Sequence, residues 1–192
     1  LIDAIIATED SRFFQHNGLD IARFAKATLG QLAGQAGAGG GSTLTMQVSK
    51  QLLTSREATG IKGIIRKFRD IYISVFQIEK NYTKEEIIEF YVNTPGLGYN
   101  TFGVEQASQT YFGKSVRDLT LAEASLLAGI FNAPSAYNPY NSIELATKRR
   151  SIVLNLMVRH GYITEEERED AENIPVESLL NPDRSTGSNE YQ

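Results

Sequence analysis

Three times along the chain a threonine stands three residues before a glutamate where a helical pattern begins: Thr83 to Glu86, Thr120 to Glu123 and Thr164 to Glu167. At that spacing the hydroxyl accepts from the glutamate's amide while the glutamate reaches back to the threonine's amide, so each pair marks a helix start. The runs that follow keep helical spacing and stop at glycine or proline. Ile87, Ile88, Tyr91 and Val92 lead to Asn93 and a Pro95-Gly96 stop, and Val104, Ala107 and Tyr111 end at Gly113. Leu121 to Phe131 is apolar on most sides, and a long helix from about Ile143 to His160 is closed by Gly161. No segment sustains an alternating pattern with hairpin turns, so an all-helical domain of roughly eight to ten helices is expected rather than a sheet.

The first half has the same periodicity with different punctuation. Asp20 is a candidate N-cap, and Ile21, Phe24, Ala25, Thr28, Leu29 and Leu32 form a stripe that predicts a core helix. Gly34 to Gly41 reads as a flexible loop, after which Ser42 or Thr43 caps a helix that carries Gln47 and Lys50 on one face. Gln51 to Gly63 has no clean period and is expected to be mobile. It is either a loop with a few exposed apolar residues or an apolar and basic segment suited to a membrane interface. From Ile64 the pattern Ile64, Phe68, Ile71, Tyr72, Val75 and Ile78 resumes, which puts Arg66, Lys67 and Asp70 within little more than one turn.

Composition narrows the chemistry. With no cysteine among 192 residues, disulfides and thiolate metal sites are excluded, and neither His16 nor His160 has zinc-ligand spacing. Net charge is -4, but it is unevenly placed. Lys50 to Asp70 holds Lys50, Arg56, Lys62, Arg66, Lys67 and Arg69 against Glu57 and Asp70, a local excess of +4, which suits a phosphorylated ligand or an anionic membrane surface. From Thr164 to Gln192 nine acidic residues face only Arg168 and Arg184, as in a solvated surface and tail. The acidic total and the lack of a recognisable motif argue against nucleic-acid binding. No apolar run approaches the ~20 residues that cross a bilayer. The chain opens inside a helix-like run, as a segment cut from a longer protein would.

The stretch Ala7 to Gly18 ends that run with adjacent carboxylates, Glu9 and Asp10, beside Phe13 and Phe14. Aromatics that lower the local dielectric raise a carboxyl group toward the range useful for general acid-base catalysis. Read alone, the pair is equally two solvated charges at a helix end over core phenylalanines. His16 reads as a structural hydrogen-bonder rather than a catalytic group.

Taken together, E-D-x-x-F-x-x-H-x-G from Glu9 and G-G-S-T-L-T-x-Q-x-x-K from Gly40 to Lys50 resemble the peptidoglycan glycosyltransferases of family 51. That family supplies the polymerase domain of class A penicillin-binding proteins and the monofunctional glycosyltransferases. A third block, Arg66-Lys67-Phe68-Arg69-Asp70, matches the family's R-K-x-x-E except for aspartate at the fifth position. Lys84 to Asn93 and Leu121 to Gly129 are further matching blocks, read as structural. The resemblance implies an all-α fold with a lysozyme-like helical lobe and a smaller membrane-associated jaw. The resemblance runs from Leu1 to about Ala171, and the polar, turn-like composition from about Asn181 sets the glycosyltransferase domain at 1–180 and a polar linker or tail at 181–192.

It also implies the reaction. The 4-hydroxyl of an acceptor lipid II attacks the anomeric carbon of a donor, and undecaprenyl pyrophosphate leaves with inversion. Glu9 is then the base and Asp70 the second carboxylate, assigned to the leaving pyrophosphate. Ser42, Gln47, Lys50, Lys62, Arg66 and Lys67 are the substrate-binding residues, and moenomycin-type phosphoglycolipids would use the same cations. Magnesium is implied as a helper without a dedicated protein site. The implied partners are lipid II, the nascent glycan strand, a membrane surface and, in a full-length protein, a C-terminal transpeptidase domain. The implied location is the extracytoplasmic face of a bacterial cell membrane. Two alternatives stay open: a peptidoglycan-cleaving lysozyme-like enzyme, which leaves the basic block unexplained, and a non-catalytic module that binds lipid II or a partner.

Overall fold

The computed structural model describes residues 1–33, 41–53, 60–98 and 100–182. Their regular structure is helical: α1 Ile2–Glu9, α2 Ile21–Leu32, α3 Leu44–Leu53, α4 Gly60–Ile73, α5 Glu79–Asn81, α6 Lys84–Asn93, α7 Gly103–Phe112, α8 Leu121–Ile130, α9 Ile143–Arg159, α10 Glu165–Glu172 and α11 Val176–Leu179. The one β interaction among them is an isolated bridge between Gly96 and Phe102. Chain contacts divide the molecule into two compact units, Leu1–Thr8 with the chain from Pro95 onward, and Glu9–Thr94.

The first unit is built on α8 and α9. Nine of the ten residues of α8 are buried, Ala122 to Ile130, and Ala122, Leu154 and Ala171 form a cluster flanked by Leu121, Ile163 and Leu179. Burying leucines and isoleucines such as Leu126, Leu127 and Ile130 stabilises by about 1.5–3 kcal/mol each. The capping boxes of α8 and α10 both close with two hydrogen bonds, as does that of α6 in the second unit. Gly113 at φ 70° and Gly161 at φ 75° follow α7 and α9 where the sequence set its stops. Arg150 of α9 is fully buried and its Nη2 donates to the Glu172 carbonyl at 3.2 Å. That places a cation against the negative end of the α10 dipole.

The second unit departs from the sequence expectation in two helices. Asp20 does cap α2, accepting from the Arg23 amide at 2.9 Å, but among the described side chains the predicted core stripe is not buried. Ile21 is 73% and Leu29 66% exposed, and only Ala27 of the described side chains of α2 is buried. The spacing specified a helix, whereas its orientation follows the polar contacts of Asp20 with Arg12 and of Arg23 with the Glu9 carbonyl. In α4 the expected apolar stripe is split between the two sides. Its helix begins at Gly60, earlier than the apolar pattern, and runs through a single π turn at Ser74–Ile78 into α5 as one rod. Asp70, Ser74 and Ile78, spaced by four, are buried, while Ile65, Phe68, Tyr72 and Phe76 are 53–68% exposed. Of the expected apolar stripe, Ile78 is buried and Ile71 and Val75 are half-buried, whereas Phe68 and Tyr72 face outward.

The inward face of the rod receives the loop that follows α1. Gly18 sits there at φ 80°, and a Cβ on it would meet the Ser74 carbonyl carbon at 2.9 Å, so only glycine lets the two backbones approach this closely. The expected mobile segments at Gly34 to Gly41 and Gln51 to Gly63 fall largely outside the described residues. The parts described are Gly41, the end of α3 and the start of α4.

Candidate active site

The N-terminus of α3 organises the site. Thr43 is the cap, its hydroxyl accepting from the Met46 amide at 3.2 Å and donating to the Gly18 carbonyl at 2.7 Å. The Leu44 amide donates to Asp10 at 2.9 Å, so a wholly buried carboxylate sits at the positive end of the helix. Both Asp10 oxygens lie 3.0 Å from His16 Nε2, and Arg23 approaches to 3.8 Å. Asp10 and Glu9, adjacent in sequence, therefore have different surroundings. Asp10 is interior and fastens the loop to α3.

Glu9 is only partly buried, and its Oε2 accepts from Gln47 Nε2 at 3.1 Å. Gln47 Oε1 in turn faces the Tyr91 hydroxyl at 3.4 Å. Of the two phenylalanines expected to flank Glu9, Phe13 is buried against His16, while Phe14 is 57% exposed. Local dielectric at Glu9 therefore does not follow from the Phe-Phe pair. His16 is the structural hydrogen-bonder that its sequence position suggested.

Gln47 belongs to a second assembly. A cavity of about 470 Å³ is lined by Ser42, Met46, Gln47, Lys50, Gln51, Gly63, Arg66, Lys67 and Asp70. Six of the eight sequence-predicted site residues meet on it, and Glu9 joins through Gln47. The eighth, Lys62, lies in α4 with its side chain outside the described residues. The reason is helical geometry: 46 and 50, and 47 and 51, lie one turn apart along α3, Ser42 stands just before its cap, and 63, 66, 67 and 70 share one face of α4.

Electrostatically the cavity is cationic. Lys67 donates to Ser42 Oγ at 2.6 Å. Burial pushes the Lys67 ammonium below the ordinary lysine range; Arg66 and Lys50 push the same way, and Asp70 opposes them. Asp70 is buried, and its Oδ1 has no hydrogen-bond partner among the described residues. A polar atom so placed at a cavity wall is costly unless a ligand or its hydration supplies the partner. Among the described residues no group of three or more carboxylate or imidazole ligands converges on a point. Asp70 alone, beside Lys67, does not fit a resident divalent cation, although it fits one carried in on phosphate oxygens.

Several residues of this site were not singled out in the sequence. Met46, Gln51 and Gly63 line the cavity at spacings of four and three from residues that were, and that spacing is the signal which finds them. Arg23, whose Nη1 donates to the Glu9 carbonyl at 2.5 Å, and Tyr91 carried no local signal, because their partners are distant in sequence.

Comparison with known proteins agrees with the motifs. The family model described as Transglycosylase matches residues 1–158. Penicillin-binding protein 1A of Vibrio cholerae serotype O1 is 44% identical over 176 residues, 92% of this chain and 21% of that protein. Penicillin-binding protein 1A of Streptococcus oralis is 39% identical over 188 residues, 98% of this chain and 29% of that protein. A crystal structure of penicillin-binding protein 1A from Haemophilus influenzae aligns over 69% of this chain and 16% of that chain at 33% identity, with a TM-score of 0.47. The chain spans about a fifth to three-tenths of the length of these curated relatives. On the match over 1–158, the chain belongs to the transglycosylase family, the peptidoglycan glycosyltransferases of family 51.

Proposed function

We propose that this domain polymerises lipid II into glycan strands. Glu9 takes the proton of the acceptor's 4-hydroxyl as its oxygen bonds to the donor's anomeric carbon. The bond from that carbon to the pyrophosphate oxygen breaks, and undecaprenyl pyrophosphate leaves with the electron pair and with inversion. The observation that carries this reading is the cavity in which Lys50, Arg66 and Lys67 converge with Ser42 and Gln47, Gln47 being bonded to Glu9. Preorganised cations stabilise charge that develops on a leaving pyrophosphate without reorganisation at the moment of reaction. Arg66 offers a bidentate fork, the lysines point charges. Cleavage between two sugars would leave such a cluster without a purpose.

Asp70 is read as the second carboxylate, with its unpartnered oxygen as the support. Magnesium arriving with the pyrophosphate would neutralise part of its charge, with Asp70 as the protein ligand. The exposed row Ile65, Phe68, Tyr72 and Phe76 supports contact with a membrane surface, where the lipid tails of substrate and product reside. No helix among the described residues is long and apolar enough to cross a membrane. Placement on the extracytoplasmic face and fusion to a transpeptidase domain are proposed from membership of the family.

The test is glycan-chain length after incubating the purified domain, in detergent, with lipid II, for the native protein and Glu9→Gln. Loss of a general base lowers the rate by about 10²–10⁴-fold. Polymer from the native form and almost none from the variant is expected. Equal polymer from both would remove Glu9 as the base.

A further inference from the structure

Lys84, at the head of α6, lies in a block that the chemistry above leaves unused. Its Nζ donates to the His16 carbonyl at 2.7 Å and to Glu79 Oε1 at 2.7 Å, and it stands 4.3 Å from the centroid of the Phe13 ring. The same Glu79 oxygen accepts from the Thr45 hydroxyl at 2.5 Å. The pair is withdrawn from water, with side-chain exposures of 17% for Lys84 and 5% for Glu79. Neither residue lines the cationic cavity.

One ion pair is thus joined to four stretches: the loop after Glu9, the helix that bears Gln47 and Lys50, the end of the rod that bears Arg66, Lys67 and Asp70, and α6. A buried ion pair is weak evidence for stability, since well-packed apolar residues of similar volume often do as well. What apolar packing lacks is direction. An ammonium with a carbonyl, a carboxylate and a ring face as partners holds each at a set distance and angle.

We propose that the Lys84–Glu79 pair is a positioning latch for the reaction, holding the loop of the base and the N-terminus of α3 in register with the phosphate-facing side of the rod. The latch presupposes the lipid II reading above. In that reaction the base and the cations must meet the two ends of one breaking and forming bond system, and a misplacement of about 1 Å costs on the order of 10²-fold in rate.

The experiment compares native protein with Lys84→Met/Glu79→Gln, which removes both charges together and leaves no unpaired buried ion, and with Thr45→Val, which cuts one arm. Steady-state kcat and KM for lipid II and the melting temperature are measured for each. The double variant is expected to melt within a few degrees of native, with KM within about twofold and kcat lower by about 10- to 100-fold. Thr45→Val should move kcat in the same direction by less. A folded double variant with native kcat overturns the latch, and so does a rise in KM that accounts for the whole loss. If the double variant does not fold, Thr45→Val decides, and an unchanged kcat there overturns the latch. If the native domain makes no polymer, the lipid II reading fails instead. The latch is then read from amide hydrogen exchange at Phe13, Gln15 and Leu44, which should quicken in the variants; unchanged exchange overturns it.

Discussion

The helix α8 and the rod from α4 to α5 are both helical and rich in apolar residues, yet they use them in opposite ways. In α8 almost every side chain is buried, and even Glu123 is enclosed by its own capping box and by Lys114 at 2.8 Å. In the rod the interior side carries Asp70 and Ser74, and four large apolar residues face outward. Burial of a polar group costs free energy unless something pairs with it, and exposure of apolar area forgoes stabilisation. A segment that accepts both penalties is organised around something other than its own core. The first helix is shaped by folding, the second, in the proposal above, by what it meets: phosphate on one face and a lipid surface on another.

That contrast can be broken most sharply by Leu127→Ala. The side chain is fully buried in α8, so truncation should cost about 2–5 kcal/mol in chemical denaturation. A cost below 1 kcal/mol would mean that α8 is not the core it looks to be.

Next in size is the pH response of the cationic cavity. Folding disfavours the charged form of Lys67, so the folded chain releases that proton at lower pH than the unfolded chain. The resulting penalty on stability is full below the folded value and fades as pH rises toward the unfolded lysine value near ~10.4. Affinity for an undecaprenyl pyrophosphate headgroup, titrated from pH 7 to 10, should therefore begin to fall before an ordinary lysine would deprotonate. Lys67→Arg should remove that alkaline limb. An identical alkaline limb in both proteins would detach Lys67 from ligand binding.

Thr164→Ala tests the punctuation that the two units share. It removes the hydroxyl that accepts from the Glu167 amide at 3.1 Å, and about 1 kcal/mol of stability should go with it. The smallest stability effect belongs to Phe68→Ala, within about 0.5 kcal/mol because the ring is exposed. Its effect should show in flotation with anionic phospholipid vesicles, where less protein should rise with the lipid. A large loss of stability with unchanged flotation would mean that α4 buries this face after all.

Legibility in the sequence followed the range of the interactions. The capping boxes, the glycine stops and the apolar helices from α6 to α9 were all readable, because each rests on contacts within about four residues. The convergence of Ser42, Gln47, Lys50, Arg66, Lys67 and Asp70 was legible as two helical faces, and through motif resemblance as one site. The inward face of α2 was not legible, and that of the rod was legible only in part, at Ile71, Val75 and Ile78. Periodicity shows that a helix has two sides without showing which side finds a partner, and here Ala27 and Asp70 took the inner positions from Leu29 and Phe68.

By itself, then, the sequence determined that the chain is helical, where most helices begin and end, and which residue types could stabilise a leaving pyrophosphate. Only the tertiary structure decided that Asp10 is interior while its neighbour Glu9 meets Gln47, and that Thr45, Glu79, Lys84 and His16 join in one place. The physical reason is separation along the chain. Hydrogen bonds between residues 34 to 68 positions apart leave no local periodicity, and they form only after the packing of whole helices has brought their partners together.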